Sequence, residues 1–190
     1  MPPALLTASL ALFTLIAGCA HVSKTAGPSD PLRGARHFVL ESFDFSGCHV
    51  GHQTEAEYLA DKSDLQRQRW EADKAEIARL YLAALARRSS QRGLDIVPAP
   101  APGPGYLILR PVITFIEPGK FTRSRNSNTQ MQMKLVIADG QGGQVGHVPL
   151  AAHTLSSSGN PSISDRLYQT GSRLGAATAR YLFRRTGAAR

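Results

Sequence analysis

The sequence predicts an α+β domain in which one antiparallel or mixed sheet of about five strands carries two amphipathic helices on one face. Three observations support this fold class. The hydrophobic pattern changes along the chain in the order β-α-β-β-β-β-α. Two long segments have helical periodicity, whereas the segments between them alternate or are bounded by Gly and Pro. The length of 190 residues suits a single domain with a proper core.

The N-terminal residues form a unit that precedes this domain. Residues 4–17 are an uncharged, mainly apolar run, which has the length of a signal-peptide core and is too short for a transmembrane helix. The run ends in Ile16-Ala17-Gly18-Cys19, which resembles the lipobox of bacterial lipoproteins. The resemblance implies that residues 1–18 are a cleaved signal peptide and that Cys19 is the lipidated residue. Met1-Pro2-Pro3 departs from the usual pattern because it has no Lys or Arg, and a buried N-terminal helix is the alternative interpretation.

Residues 19–36 are predicted to be a flexible tether between the lipidated cysteine and the domain. The segment is rich in small and polar residues and contains Gly27, Pro28, Pro31 and Gly34. Ala20 follows Cys19, in place of the aspartate associated with inner-membrane retention in enteric bacteria. By that resemblance we expect the outer membrane, with the domain facing the periplasm.

The first strand and the long helix open the predicted domain, which spans residues 37–187. Residues 37–45 are dense in apolar side chains and predict a strand covered on both faces. Residues 55–92 have helical periodicity, and Ser63 with Gln66 fits a capping box. Trp70 and Ile77 share the apolar stripe of this helix, so we expect Trp70 to be buried.

The central part of the chain predicts the remaining strands. Residues 94–97 are a short strand candidate, and the β-rich run of residues 106–116 contains Pro111, which favours an edge or bulged position. Residues 129–138 alternate between apolar and polar side chains, as an amphipathic antiparallel strand does. The glycine-rich segment from Asp139 to Gly143 predicts a hairpin, from which residues 144–154 return.

The last predicted element is an amphipathic helix over residues 162–186, with a capping spacing at Ser162 and Asp165. Three small residues lie four apart on one side of it and indicate close packing of the helix on the sheet; they are Gly171, Gly175 and Ala179. The same helix contains Arg166, Arg173 and Arg180, which exclude a membrane span.

This combination resembles the small uncharacterised lipoproteins of proteobacteria. It comprises the lipobox, the tether, an early strand, one long helix, the Asp139–Gly143 hairpin and an alanine-rich final helix. The resemblance implies a fold akin to that of the auxiliary lipoproteins of envelope transporters and of the N-terminal domain of the Tol-system propeller protein. It implies no catalytic residues.

The charge of the chain suggests its partners. The formal net charge is +8, and a basic surface suits anionic envelope lipids, lipopolysaccharide, peptidoglycan or acidic proteins. Nucleic acid is not expected outside the cytoplasm, and simple solubility is the alternative reading. The candidate contacts with an anionic partner are Lys120, Arg123, Arg125, Arg184 and Arg185.

One cluster could carry chemistry. Cys48, His49 and His52, with Glu55 nearby, supply the ligand types of zinc or copper, and Cys48 could alternatively act as a reactive thiol. No catalytic or cofactor-binding motif accompanies them. We therefore predict a non-enzymatic, lipid-anchored envelope protein without a cofactor that binds an envelope protein or polymer. The alternative is a metal-binding or thiol-active periplasmic protein.

Overall fold

The computed structural model describes residues 30–99, 105–122 and 126–188. Several predictions fall outside these ranges: the signal peptide over residues 1–18, lipidation of Cys19, most of the tether, and the contacts of Arg123 and Arg125. Within the described ranges, no helix has the length and apolar character needed to span a membrane.

The chain forms the α+β fold that the sequence predicts. The helices are α1 (Glu55–Ala60), α2 (Asp64–Ser90) and α3 (Ile163–Thr186). The strands are β1 (His37–Leu40), β2 (His49–Val50), β3 (Gln53–Thr54), β4 (Asp95–Pro98), β5 (Leu107–Glu117), β6 (Lys120–Phe121), β7 (Asn126–Ser127), β8 (Thr129–Ala138) and β9 (Gln144–Thr154).

Strand β5 is central to a mixed sheet. On one side it pairs along its length with β8, which pairs with β9, both antiparallel. On the other side its first half pairs with β1 and its second half with β2, both parallel. Strand β4 extends the sheet beyond β1, and β3 extends it beyond β2. The mixed sheet therefore has seven strands: the path β4-β1-β5-β8-β9 accounts for the five or so that were expected, and the two-residue strands β2 and β3 are additional.

Pro111 lies inside this central strand, so the edge position, one of the two alternatives predicted, is wrong; a register irregularity in the pairing with β8 follows between Ile113 and Phe115. Pro111 falls between the two stretches of β5 that pair with β1 and β2, where only the loop around Asp44 runs alongside. The Pro111 carbonyl accepts a hydrogen bond of 2.9 Å from the Asp44 amide. The N–H that Pro111 lacks would point to the same side, so the pairing of β5 with β8 loses no hydrogen bond.

The predicted first helix is two helices, because residues 61–63 interrupt it. Thr54 and Glu57 form a capping box that starts α1. The expected box of Ser63 and Gln66 starts α2, with a hydrogen bond of 3.4 Å from the Gln66 amide to the Ser63 hydroxyl. Each box satisfies amides that a helix N-terminus otherwise leaves unpaired.

Helices α2 and α3 lie side by side and run in the same direction. A Cβ built on Gly171 would be 3.1 Å from the Ile77 carbonyl oxygen, and Gly175 abuts the next turn of α2 at Tyr81. Gly171 and Gly175 therefore pack against a helix, and the prediction that they pack on the sheet was wrong. A helix backbone is the neighbour that comes close enough to require glycine.

The domain has two ends, which we call the base and the apex. The base holds Asp30, the start of β5 and the C-termini of α2 and α3; the Gly34 amide donates to the Thr186 carbonyl there. The apex holds α1, the end of β5 and the N-terminus of α3. Eleven residues of β5 separate the two ends by roughly 30 Å.

The core lies between the sheet and the two long helices, and it begins earlier than expected. Leu32 is only 2% exposed and belongs to the same cluster as Trp70 and Leu174. The end of the segment predicted as tether thus packs into the domain. Every residue of that cluster lies between Leu32 and Ala188.

Candidate functional site

Cys48 and the neighbouring histidines do not converge on a common point. Cys48 is 3% exposed, and its thiol is 3.5 Å from the His49 carbonyl oxygen. His49 is an exposed residue of β2, and His52 is exposed in the turn that follows. In the three described ranges, no group of three or more His, Cys, Asp or Glu residues could hold a metal ion. The geometry does not support the metal-binding alternative.

The environment of Cys48 also opposes thiol chemistry. Burial, with a smaller contribution from the Glu55 carboxylate, raises the pKa of the Cys48 thiol to about 12. A reactive cysteine needs the opposite, a thiolate favoured by nearby positive charge. Cys48 is therefore an apolar core residue.

Glu55 serves a structural purpose beside Cys48. One of its carboxylate oxygens accepts hydrogen bonds from Trp70 Nε1 at 2.6 Å and from Lys74 Nζ at 2.7 Å. Lys74 also contacts Glu71 at 2.9 Å. Burial by itself would lower the pKa of the Lys74 ammonium, but the hydrogen bonds to the two carboxylates raise it overall. This group fastens α1 to α2.

A cleft opens at the apex between α1, the first turns of α2 and the N-terminus of α3. Its volume is about 520 Å³, enough for one or two large side chains. Its walls combine aromatic, basic and small polar residues. The lining consists of Tyr58, Leu59, Lys62, Gln66, Arg69, Trp70, Asp73, Pro161, Ser162, Ile163, Ser164 and Leu167.

The floor of the cleft is apolar and rigidly held. Trp70 is 5% exposed, and its ring centroid is 5.2 Å from that of Tyr58. Leu167 is buried beside them. Since the hydrogen bond to Glu55 fixes the indole, the floor is preorganised to receive an apolar group.

Asp73 is the acidic residue in the wall, and its carboxylate is already engaged. It accepts hydrogen bonds from the Tyr168 hydroxyl at 2.6 Å and from the Ser164 hydroxyl at 3.2 Å. The bond to Asp73 raises the pKa of the Tyr168 phenol to about 12. These bonds tie the start of α3 to α2 and shape the wall of the cleft.

The rim of the cleft is basic and partly apolar. Lys62 lies with its ammonium 4.8 Å from the centroid of the Tyr58 ring. Arg69 is exposed, and neither cation makes an ion pair with an acidic side chain in the described part of the chain. Ile163 is 45% exposed at the first position of α3. The rim can therefore receive carboxylates next to an apolar side chain.

The basic residues predicted to meet an anionic partner are not brought together. Lys120 is exposed at the apex, whereas Arg184 and Arg185 lie in the last turn of α3 at the base. Arg184 is exposed, but Arg185 donates to the Asp30 carboxylate at 2.9 Å. The two segments therefore belong to separate surfaces.

Sequence reasoning did not find the cleft, because its residues come from two segments about a hundred positions apart. One signal was present. Asp73 stands within the apolar stripe of the long helix, three residues after Trp70 and four before Ile77. A carboxylate at such a position needs partners, and these come from α3.

Comparisons with known proteins give distant similarities. No protein-family model matches the sequence. No curated protein matches it either.

Several solved structures are similar to the chain. One is the hypothetical protein CT253 of Chlamydia trachomatis, with a TM-score of 0.48, 13% identity, and coverage of 80% of this chain and 99% of the other. A Xanthomonas campestris protein named with the family DUF330 has a TM-score of 0.47, 8% identity, and coverage of 83% and 90%. A minor lipoprotein of Acinetobacter baumannii has a TM-score of 0.41, 8% identity, and coverage of 80% and 91%. At these values we transfer no function from them, and none of the three is a Tol-system protein.

Proposed function

We propose that this chain is a lipid-anchored protein of the cell envelope that acts as a non-enzymatic binding or accessory component. The cleft at the apex carries this proposal. Its occupant, in our proposal, is a segment of an envelope protein in which a bulky apolar side chain is flanked by carboxylates. The anchor is Cys19, on the outer membrane with the domain facing the periplasm, as the lipobox resemblance implies.

Shape and charge together favour this occupant. Burial of an apolar group on the preformed aromatic floor contributes roughly 25 cal/mol of binding free energy per Å² of apolar surface. Because the floor is already ordered, binding costs little side-chain entropy. Lys62 and Arg69 on the rim lack carboxylate partners in the described part of the chain. An acidic segment would supply them, which gives the site electrostatic complementarity.

A binding role suits the chemistry of the lining better than catalysis does. The carboxylate of Asp73 is held by two hydroxyl donors, and those hydroxyls serve to fix α3 on α2. The Cys48 thiol lies outside the cleft and is buried. Proteins of the resembled group, auxiliary lipoproteins included, suggest an accessory role of this kind by analogy.

A photo-crosslinking experiment in cells tests the proposal. A photoreactive amino acid is placed at Gln66, which lines the cleft, and in a matched strain at Gln68, which is exposed on another face of the same helix. We expect a specific adduct from position 66 only. Mass spectrometry of the adduct should identify a segment with an apolar residue next to Asp or Glu.

A second set of variants tests whether formation of the adduct depends on the residues of the cleft. Arg69→Glu should abolish the adduct, because the rim would then repel the acidic segment, and Ile163→Asp should weaken it. Equal adducts from positions 66 and 68, or an adduct that survives Arg69→Glu, would exclude the cleft as the binding site. For the anchor, Cys19→Ala should abolish labelling by a fatty acid, and labelling that persists would exclude Cys19.

A further inference from the structure

Helix α3 presents arginines along its outer face. Arg173, Arg180 and Arg184 are exposed and stand at spacings of seven and four residues, which places them on one side of the helix. Arg88 of α2 joins them, because it lines a groove with Arg173 and Arg180. We call these four residues the arginine face.

The groove between these guanidinium groups has no acidic side chain in its lining. It has a volume of about 290 Å³, and its other lining residues are Ala151, Ala152, His153, Ala176 and Ala177. Arg173 donates a hydrogen bond of 2.6 Å to the His153 carbonyl, which holds that side chain in place. Small alanine side chains leave the cations accessible to a flat or extended partner.

The arginine face is also without counter-charges nearby in the sequence. Neither residues 77–94 nor residues 166–190 include an Asp or Glu. None of the four arginines makes an ion pair with an acidic side chain within the described ranges. The dipole of α3 accounts for a cation in its last turn, but Arg173 lies in the middle of the helix. These like charges lie close together without a neutralising acid among the described residues, so an anionic partner would stabilise them.

The path of the chain places this face within reach of a bilayer. Asp30 is held at the last turn of α3 by Arg185, and Cys19 precedes Asp30 by eleven residues. An extended chain spans about 3.3–3.6 Å per residue, so an anchor at Cys19 keeps Asp30 within roughly 40 Å of the lipid surface.

We infer that the arginine face lies against the phosphate groups of anionic lipids in the membrane to which the protein is anchored. Guanidinium groups form paired, charge-assisted hydrogen bonds with phosphate oxygens. A helix face with three turns of arginine matches a planar array of such groups better than it matches a compact soluble anion. The inference rests on the anchoring in the proposed function, but it does not depend on the cleft.

Vesicle binding tests the inference without the lipid anchor. The chain from residue 19 onward, with Cys19→Ser, contains the whole described domain and its core, and cannot be held by acyl chains. It is mixed with vesicles of phosphatidylglycerol and phosphatidylethanolamine or with neutral phosphatidylcholine vesicles, and flotation measures binding. We expect binding to the anionic vesicles only, and its loss when salt shortens the screening length from about 10 Å at 0.1 M to about 3 Å at 1 M.

Two variants of equal charge show whether the face itself is responsible. Arg173→Gln, Arg180→Gln and Arg184→Gln together should weaken binding by about a hundredfold. Arg79→Gln, Lys120→Gln and Lys134→Gln remove the same charge from exposed positions outside both the arginine face and the cleft, and should have a much smaller effect. Circular dichroism verifies that both variants fold.

Three results would overturn the inference: no preference of the parent chain for anionic vesicles, equal weakening by the two variants, or binding that does not respond to salt. The vesicles contain no protein partner, so failure to bind them would not affect the crosslinking result at the cleft. Failure of the crosslinking experiment would likewise not affect the vesicle result. If the parent chain does not bind vesicles but is retained on purified peptidoglycan or on an acidic protein, and the arginine variant is not retained, the arginine face binds that partner and not lipid.

Discussion

Gly175 of α3 lies directly against the carbonyl oxygen of Tyr81 in α2. An ideal Cβ at Gly175 would also be 3.1 Å from the Tyr81 carbonyl carbon and 3.2 Å from the Ala84 Cβ. One turn further on, the Tyr81 hydroxyl donates a hydrogen bond of 2.9 Å to Thr178. The close approach of the two backbones at Gly175 is thus next to a buried side-chain hydrogen bond that joins the same two helices.

We expect Gly175→Ala to lower the free energy of unfolding by about 1–3 kcal/mol, because the added methyl group must push backbone apart. This cost exceeds the gain of roughly 0.5–1 kcal/mol that alanine brings to a helix interior. Chemical denaturation measures the change. Gly146→Ala is the control, because a Cβ at Gly146 would have nothing within 4 Å. If the two variants are equally stable, the helices are not in contact at Gly175.

Lys74→Met should destabilise the domain by about 1–3 kcal/mol near neutral pH, because it removes the cation between Glu55 and Glu71. The side chains of Lys74 and Glu55 are 15% and 19% exposed, so solvent screens the pair only in part. The fluorescence of Trp70, the one tryptophan in the chain, reports unfolding.

The difference between parent and Lys74→Met should depend on pH. The pKa of Lys74 is raised in the folded state, so its contribution is fully present below the unfolded pKa of about 10.4. The contribution is lost as pH rises through the folded pKa. The tyrosines are identical in both chains and cancel in the comparison. A difference that stays constant, or grows, at alkaline pH would contradict this account.

Cys48 should resist thiol reagents in the folded protein at pH 7–8. Burial raises its pKa to about 12, so almost no thiolate forms at that pH. Maleimide labelling of a Cys19→Ser chain, which contains Cys48 alone, measures this reactivity. The same chain unfolded in guanidinium should react rapidly. Rapid labelling of the folded chain would revive the thiol-active alternative.

Periodicity predicted the elements that depend on local pattern. The mixed sheet, the capping box at Ser63 and the burial of Trp70 are confirmed, because the longer strands and the helix can each be recognised from the spacing within one segment. The sequence did not predict the break at residues 61–63, because only three residues join α1 to α2 and both helices share the helical period.

Features that depend on distant segments were missed or misassigned. The position of Pro111 was misjudged because the sequence does not show that two short strands share one side of β5. The close packing at Gly175 was foreseen, but its partner was not. Charge was the least predictable property: the arginines of the last helix look alike in sequence, yet Arg166 is buried and Arg185 is paired with Asp30.

Arg166 is 0% exposed and fastens the loop before α3 to the end of the sheet. Its Nη1 donates to the carbonyl oxygens of Asn160 at 3.1 Å and Pro161 at 2.6 Å, and its Nε donates to Thr129 at 3.0 Å. Its Nη2 is buried without a hydrogen-bond partner among the described residues. Burial lowers the pKa of the guanidinium, so the residue bears a desolvation cost that its hydrogen bonds must offset.

We expect Arg166→Met, which keeps much of the side-chain volume, to lower the free energy of unfolding by about 1–3 kcal/mol, because two carbonyl groups and the Thr129 hydroxyl lose their donor. Hydrogen exchange should become faster at the amides of residues 155–162, which include one wall of the cleft. Arg184→Gln, which changes an exposed arginine on the same helix, is the control and should change neither quantity appreciably. If Arg166→Met is as stable as the parent and its loop exchanges no faster, the guanidinium does not hold the loop, and other contacts, such as the bonds to Asp73, keep the start of α3 in place.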